Sequence, residues 1–380
     1  MWSDASLKSF GGQIQRLLRK GHLTRAECYE MFRQILLSRQ PDLHQGAFLA
    51  ALAAKGETPE EVAGAWQAIV ELDTARVEIP EDQPLVENCG TGMDRLKTFN
   101  VSSAAAVVAA GGGVRIARHG SRGLTSACGT VDLLEAIGIA VDCDVETVGR
   151  SIRECGIGLF NGMSAQVHPR ALYRILSQIR FGSILNIAAS LASPCRPTHA
   201  VRGVYAPELI EPVSQVMREI GYRRALVVHG FDGRGEPAMD EFSTLGESLV
   251  GELGEDGGEQ GYRLAPEDLG IPRAAYSDIA ATGDVGRESV RFLHVVSGCG
   301  HPACIDITCL NAGAILYVAG KAATLKAGVE QSREIIHGGR ALQTLCRWAA
   351  VQADADGTSM KRFRASAAAA GLGERVAGWL

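Results

Sequence analysis

The sequence has no long uninterrupted hydrophobic run and no excess of basic residues. Its longest apolar runs are interrupted before the roughly 20 residues that a membrane-spanning helix needs, and the N-terminus lacks a signal-peptide pattern. The formal net charge of -5 leaves no overall basic footprint, which weighs against nucleic acid as the main partner. We therefore expect a cytoplasmic protein without membrane contact.

The cysteines show no pairing rhythm. Ten of them are scattered along the chain, as is typical of reduced thiols in a cytoplasm. Cys299, Cys304 and Cys309 lie near His301, but their spacing is unlike the usual zinc patterns and Cys309 falls in an apolar stretch. The pattern favours buried structural thiols over a zinc site.

Length and periodicity predict an α/β protein with a smaller helical part. The 380 residues, 46% of them hydrophobic, suffice for one large core plus a smaller domain. Residues 1–78 show helical spacing and predict a small all-helical domain, in which Thr58, Pro59 and Glu61 predict a helix start with Thr58 as its cap. Residues 83–350 alternate strand and helix patterns, which predicts a large α/β domain with a mostly parallel central sheet and flanking helices. Residues 353–380 form a C-terminal tail, which is alanine-rich and carries a basic cluster at Lys361, Arg362 and Arg364; it is predicted to be a solvated helix.

Two glycine-broken, hydroxyl-rich turns each follow an apolar, strand-like run. The first contains Gly90-Thr91-Gly92 and leads through Asn100, Ser102 and Ser103 into an alanine-rich helix; the second runs over residues 118–130. Glycines let backbone amides approach an anion, and a helix N-terminus adds partial positive charge. Asn100, Ser102 and Ser103 suit both helix capping and hydrogen bonding to phosphate oxygens. The turns predict a cradle for a phosphorylated sugar or nucleotide.

An ordinary pair of strand-to-helix turns is the alternative interpretation. Neither turn has the Rossmann or the Walker spacing, and a single glycine turn is a weak signal. Two such turns, with Arg118 and Arg122 beside the second, favour an anion site.

A carboxylate pair, Asp240-Glu241, follows the strand predicted at Ala225-Leu226-Val227-Val228 after a short insertion. Adjacent carboxylates repel each other unless a cation lies between them. Mg²⁺ takes carboxylates together with substrate phosphate oxygens, and open α/β sheets bind ligands at the carboxyl ends of their strands. The pair predicts a magnesium site, with a solvated acidic turn as the alternative.

Nearly the whole chain resembles the anthranilate phosphoribosyltransferases, which share a fold with the pyrimidine nucleoside phosphorylases. The resemblance rests on motifs that recur in the same order: Ala47–Leu52, Lys55–Thr58, Gly90-Thr91-Gly92, Thr98–Ser102, Arg118-His119-Gly120, Leu134-Glu135-Ala136, His168-Pro169, Gly203-Val204-Tyr205, Val228-His229-Gly230, Asp240-Glu241 and Leu310–Gly313.

The resemblance implies Mg²⁺-dependent transfer of phosphoribose from phosphoribosyl pyrophosphate to a small aromatic acceptor, without a nucleophilic side chain. It also implies a helical segment near 165–187 that returns to the small domain, an acceptor site between the domains, and a homodimer. The implied metal ligands are Asp240, Glu241 and Ser102. The residues implied to bind phosphoribosyl pyrophosphate are Gly90, Thr91, Gly92, Asp94, Thr98, Asn100, Ser102, Ser103, Arg118 and Ser126.

The departures from the family pattern concentrate on the acceptor side. The implied acceptor residues are His119, Ser121 and Arg180, but Ser121 replaces the family's asparagine. In the family an arginine contacts the anthranilate carboxylate, and that arginine aligns with Gly182 of this chain. Arg180, at a neighbouring position, is the residue expected to take its place. Met93 replaces a glycine in the first turn. These changes keep open a paralogue that binds nucleic acid or another polyanion in its cleft. Arg122-Gly123-Leu124 and Gly129-Thr130 resemble the phosphorylases slightly and keep open a phosphorolytic nucleoside enzyme.

Overall fold

The N-terminal part of the chain is helical. The computed structural model describes residues 3–92, 94–123, 128–179 and 181–380. The first four helices are α1 (Asp4–Leu18), α2 (Arg25–Leu36), α3 (Asp42–Lys55) and α4 (Pro59–Leu72). Helix α4 begins as its sequence predicts, because the Thr58 hydroxyl accepts from the Glu61 backbone N–H while the Glu61 carboxylate accepts from the Thr58 N–H.

The rest of the described chain is built around one twisted sheet. Its strands are β1 (Leu85–Gly90), β2 (Arg115–Gly120), β3 (Ile157–Asn161), β4 (His199–Gly203), β5 (Arg224–Phe231), β6 (Pro237–Met239), β7 (Ser248–Leu253) and β8 (Glu259–Leu264). The strand order is β3-β2-β1-β4-β5-β7-β8, with β6 paired to β5. Strands β1 to β5 are parallel, whereas β6, β7 and β8 pair antiparallel. The carboxyl ends of five parallel strands therefore share one edge, which confirms the mostly parallel sheet.

Helices cover both faces of this sheet. They are α5 (Val101–Gly111), α6 (Thr130–Ile137), α7 (Val145–Cys155), α8 (Leu172–Gln178), α9 (Leu185–Ala188), α10 (Ile210–Glu219), α11 (Tyr276–Ile279), α12 (Val285–Ser297), α13 (Pro302–Val318), α14 (Leu325–His337), α15 (Arg340–Val351), α16 (Thr358–Ala369) and α17 (Gly373–Ala377). Within the described ranges, none of these helices combines the length and the apolar character needed to cross a bilayer.

Alternating side chains of the central strands join two different cores. Val201 and Leu226 belong to the core that contains α5 and α13, whereas Ala200 and Val227 belong to the core that contains α1 to α4, α8 and α9. The helical part thus packs on one face of the sheet, and α8 and α9 carry it toward the carboxyl edge. The domain boundaries at residues 78, 83 and 350 stay predictions, because the second core runs without a break from the N-terminal helices into the sheet.

The C-terminal tail is packed, so the expectation of a solvated helix is wrong. Phe363 and Ala367 on α16 are fully buried in the core that also contains α6 and α12. Lys361, Arg362 and Arg364 lie on the opposite, exposed side of the same helix. The prediction rested on the basic residues of the exposed face and overlooked the apolar residues of the opposite face.

Phe363→Ala should therefore destabilise the whole protein by about 3–5 kcal/mol, because it removes a buried aromatic ring and leaves a cavity. Urea unfolding followed by circular dichroism measures this change. Arg364→Ala on the exposed face is the matched control and should stay within about 0.5 kcal/mol of the parent. Equal, small losses for both variants would show that α16 is not part of the core.

Candidate functional site

Both predicted glycine turns lie at the carboxyl edge of the sheet, on the adjacent strands β1 and β2. The strands are longer than their apolar runs indicated, so Arg118 and His119 are strand residues and the turns begin at Gly90 and Gly120. A cavity of about 420 Å³ opens above this edge. The two turns therefore contribute to one site.

Asp240 is packed tightly against the ends of β1 and β4. A Cβ atom on Gly90 would lie 2.1 Å from Asp240 Oδ2, and one on Gly203 would lie 1.5 Å from the Asp240 carbonyl oxygen. The Gly92 backbone N–H donates to Asp240 Oδ2 at 2.7 Å. The first glycine turn is thus shaped by the carboxylate segment that packs against it, and both strand ends require glycine.

Glu241 occupies the N-terminus of α5. Its Oε1 accepts from the Ser102 backbone N–H at 3.0 Å and from Ser102 Oγ at 2.8 Å, and its Oε2 accepts from Thr98 Oγ1 at 3.4 Å. Asn100 holds the N-cap position without a capping bond and instead donates to the Cys128 carbonyl at 3.4 Å. Our prediction that Asn100 caps the helix is therefore wrong, since a carboxylate distant in sequence takes that role.

The half-buried carboxyl groups of Asp240 and Glu241 both hold their protons more tightly than free carboxyl groups do. Burial, with a further contribution from Asp94, raises the pKa of Asp240 to about 6. Burial, followed by the charge of Asp240, raises the pKa of Glu241 to about 8. No third His, Cys, Asp or Glu of the described chain completes an all-protein metal cage. Two carboxylates and the Ser102 hydroxyl fit Mg²⁺, which takes one or two carboxylates plus waters and substrate phosphates.

Asn311 fixes the chain directly after the carboxylate pair. Its Oδ1 accepts from the Phe242 N–H and its Nδ2 donates to the Phe242 carbonyl, both at 3.1 Å. The sequence motifs predicted no role for this residue. The available signal was a polar side chain in the middle of an apolar helix, where it must find buried partners.

Arg118 lines the cavity from β2, although its side chain is almost completely buried. Its guanidinium makes long contacts of 3.4 Å to Asn88 Oδ1 and 3.5 Å to Thr130 Oγ1, and its Nε has no partner within the described chain. Burial lowers its pKa. A weakly engaged buried cation is suited to an anion in the cavity.

Asp132 joins the two ends of the second glycine turn. Its Oδ2 accepts from the backbone N–H groups of Gly123 at 2.8 Å and Gly129 at 3.0 Å. Arg122 is paired with Asp132 at 3.1 Å and with Glu135 at 2.7 Å. Arg122 is therefore occupied by carboxylates and is not the free anion contact that its sequence position indicated.

The other side of the cavity is mostly apolar. Side chains from α8, α9 and their connection contribute Leu176, Ile179, Phe181, Leu185 and Ala189. This wall belongs to the face of the sheet that carries the helical part. It is suited to the flat, apolar ring of an aromatic molecule.

His119 forms the polar end of this wall. Its Nδ1 lies 3.3 Å from the Ser190 carbonyl oxygen, and its ring meets that of His168 edge to face at 5.5 Å between centroids. Burial, with smaller contributions from His168 and Arg202, lowers the pKa of His119 to about 3. The imidazole is thus neutral at physiological pH and can donate from Nδ1 to Ser190.

The structure brings most of the predicted residues to one cavity. Those that line it are Gly90, Thr91, Gly92, Asp94, Thr98, Asn100, Ser102, Arg118, His119, Ser121, Asp240 and Glu241. Ser103 does not, because its helical position turns it into the core, where its hydroxyl is buried; its predicted donor contact is wrong. Met93, Ser126 and Arg180 lie outside the described residues. Lys97, Asn186 and Ser190 also line the cavity and were missed.

Two family descriptions match the chain. The glycosyl transferase family a/b domain matches residues 82–342, and the glycosyl transferase family helical bundle domain matches residues 13–72.

Relatives and solved structures with the same printed name match over most of the chain. The anthranilate phosphoribosyltransferase of Methanothermobacter marburgensis is 38% identical over 88% of this chain and 97% of its own length; that of Alkalilimnicola ehrlichii is 39% identical over 88% and 96%. The crystal structure of the Thermus thermophilus enzyme matches with a TM-score of 0.79 and 32% identity, over 89% of this chain and 98% of that one. The Saccharomyces cerevisiae enzyme in complex with PRPP (phosphoribosyl pyrophosphate) and Mg has a TM-score of 0.78 at 22% identity, over 92% and 98%. The chain therefore belongs to the anthranilate phosphoribosyltransferase family of glycosyl transferases.

Proposed function

We propose that the protein transfers phosphoribose from phosphoribosyl pyrophosphate to anthranilate or a related small aromatic amine, with Mg²⁺ at Asp240 and Glu241. The observation that carries the proposal is the pair of adjacent, half-buried carboxyl groups with raised pKa values that line one cavity together with the two glycine turns. The relatives named as anthranilate phosphoribosyltransferases support it. The Saccharomyces cerevisiae enzyme that shares this fold is in complex with phosphoribosyl pyrophosphate and Mg.

The donor half of the proposed site is the edge formed by β1, β2 and α5. The backbone of residues 90–92 and the side chains of Asp94, Thr98, Asn100 and Ser102 face the cavity there. Backbone amides, hydroxyls and the N-terminus of α5 supply hydrogen bonds and partial positive charge to phosphate oxygens. Arg118 supplies a full charge, and we propose that Ser126 adds a further hydroxyl.

The reaction needs positioning and charge stabilisation more than a reactive side chain. As the bond between the ribose C1 and the pyrophosphate breaks, negative charge collects on the leaving group. Arg118 and the turn amides stabilise that charge, while the cavity holds the acceptor amine near C1. Bound Mg²⁺ would be held by Asp240, Glu241 and the Ser102 hydroxyl, and it would neutralise negative charge on the pyrophosphate oxygens.

The acceptor half is the apolar wall of α8 and α9 with its polar end at His119 and Ser121. Neutral His119 donates to the Ser190 carbonyl and so holds the α9 side of the wall against β2. We propose that Ser121 and Arg180 contribute polar contacts to the acceptor. The polyanion-binding alternative gains no support, since the carboxyl groups of Asp240 and Glu241 line the cavity and Arg122 is already paired.

We also propose a cytoplasmic homodimer. Leu18 on α1 and Leu43 on α3 are 62% and 86% exposed, which places large apolar side chains on the outer face of the helical part. The ten cysteines are free thiols, in keeping with a reducing compartment. A monomer mass in light scattering would exclude the dimer.

Glu241→Gln should weaken the Mg²⁺-dependent binding of phosphoribosyl pyrophosphate by at least about 100-fold, because the loss of an outer partner of a metal site alone costs about 10–100-fold. Calorimetric titration with and without Mg²⁺ measures the effect. Glu236→Gln, at an exposed residue close in sequence, is the matched control. Unchanged affinity in Glu241→Gln would remove the proposed metal site.

Glu241→Gln should also stabilise the metal-free protein, increasingly as pH rises. The pKa of Glu241 is about 8 in the folded protein against the ordinary 4.5, so the unfolded chain releases this proton first and stability falls between these values. Glutamine has no titratable proton, so the variant does not lose this stability as pH rises. Each unit of difference between the folded and unfolded pKa corresponds to about 1.4 kcal/mol of unfolding free energy.

Urea unfolding in a chelator at pH 5, 6.5, 8 and 9 compares the two proteins. Their unfolding free energies should be similar at pH 5 and should diverge up to pH 8, with the variant more stable and the difference constant beyond. A constant difference across the whole range would show that Glu241 ionises normally.

A further inference from the structure

Arg202 on β4 is a buried cation that the proposed donor site does not use. Its side chain is fully buried. Its Nη2 donates to Ser190 Oγ and, at 3.5 Å, to the Asn186 carbonyl. Its Nε and Nη1 have no hydrogen-bond partner within the described chain. Burying a guanidinium with unpaired N–H groups is costly, so its place beneath the cavity calls for a physical reason.

The buried carboxyl group of Glu87 does not cancel this charge through a direct ion pair. Glu87 Oε2 accepts from Tyr222 Oη at 2.6 Å, while Glu87 Oε1 has no partner among the described residues. Among the residues that the structure describes, no ion pair within 4 Å joins Glu87 to Arg202. Burial raises the pKa of Glu87, against the opposing charge of Arg202.

The charge of Arg202 reaches the cavity. Cys89, His119 and Asp240 all line the cavity. Besides the dominant effect of burial, the charge of Arg202 contributes to the pKa of each of them: it lowers that of His119 further and opposes the increase at Cys89 and Asp240. Arg202 therefore sets a positive potential under the cavity floor.

Arg202 also holds the wall on which the proposed acceptor lies. Asn186 and Ser190, which accept its hydrogen bonds, are both lining residues of the cavity. His119 contacts the carbonyl of the same Ser190. Hydrogen bonds thus connect the wall to β2 and β4 of the sheet. Gly182, which also lines the wall, has no side chain with which to bind an anion.

We propose that Arg202 determines acceptor specificity, as a positioning residue that acts through Ser190 and Asn186 and favours an aromatic amine with a carboxylate. The inference rests on the proposed function, since it takes the α9 wall as the acceptor site. The positive charge of Arg202 would attract the carboxylate of the acceptor through the wall, without direct contact between the two groups.

Acceptor binding tests this directly, independently of turnover. Anthranilate and its neutral methyl ester are titrated into the protein loaded with Mg²⁺ and pyrophosphate, which supplies no ribose to transfer, in the parent, Arg202→Met and Arg202→Lys. We expect the parent to prefer anthranilate by about tenfold or more, Arg202→Met to lose that preference while the ester's affinity changes less than about threefold, and Arg202→Lys to keep part of it.

Three controls keep the outcome unambiguous. Arg224→Met, on the neighbouring strand where the guanidinium stacks on Tyr317 at 4.2 Å, should leave the preference intact. The double variant Glu87→Gln/Arg202→Met removes both buried charges and replaces the single variant if that one fails to fold. Donor affinity measured in each variant reports whether the donor site is unchanged.

The proposal is overturned if the parent does not prefer anthranilate, if both acceptors weaken equally in Arg202→Met, or if Arg180→Ala abolishes the preference and Arg202→Met does not. Loss of donor affinity alone would assign Arg202 to the pyrophosphate side and would also overturn it. A preference that follows Arg202 in a protein that transfers no phosphoribose would leave this inference standing and refute the proposed function.

Discussion

The packing of Asp240 against the ends of β1 and β4, with Glu241 bound to the N-terminus of α5, is the constraint on which the rest of the site depends. Without glycine at positions 90 and 203 the segment would collide with both strands. Once seated, Asp240 holds the Gly92 amide and Glu241 holds the first turn of α5. Asn311 fixes the chain that follows. Strand ends, helix terminus and carboxylates therefore form one unit.

Repulsion between the carboxyl groups of Asp240 and Glu241 destabilises this unit, and a bound cation would reduce the repulsion. Two adjacent carboxylates shielded from water raise each other's proton affinity or bind a cation. Without a cation the pair shifts toward protonation, as the raised pKa of Glu241 indicates. A hard cation bound together with a pyrophosphate would relieve the repulsion between the two carboxylates, so we expect metal binding and donor binding to depend on each other.

The alternation of side chains along β2 and β4 separates the two proposed half-sites. Arg118 and Val201 face the side of the sheet that carries α5, where the phosphates are proposed to bind. His119 and Arg202 face the helical part, where the acceptor wall lies. In the proposed site, adjacent residues of one strand would therefore contact different substrates, and the sheet would hold the two halves in register.

Local patterns predicted the local features of this molecule. The capping box at Thr58, the strand at Ala225–Val228 and the glycine turns were readable because their causes lie within a few residues. The capping of α5 by Glu241, the packing of Phe363 and the attachment of Ser190 to Arg202 were not, because each joins segments distant in sequence. A basic cluster and an N-cap asparagine are sound local signals that tertiary contacts overrode.

The most direct test of the account is an experimental structure of the protein with Mn²⁺ and phosphoribosyl pyrophosphate, recorded with anomalous diffraction. The account predicts an anomalous peak within coordination distance of Asp240 or Glu241, with pyrophosphate oxygens on the same ion and the glycine turns around them. Donor bound in the cavity with no ion near either carboxylate would contradict it.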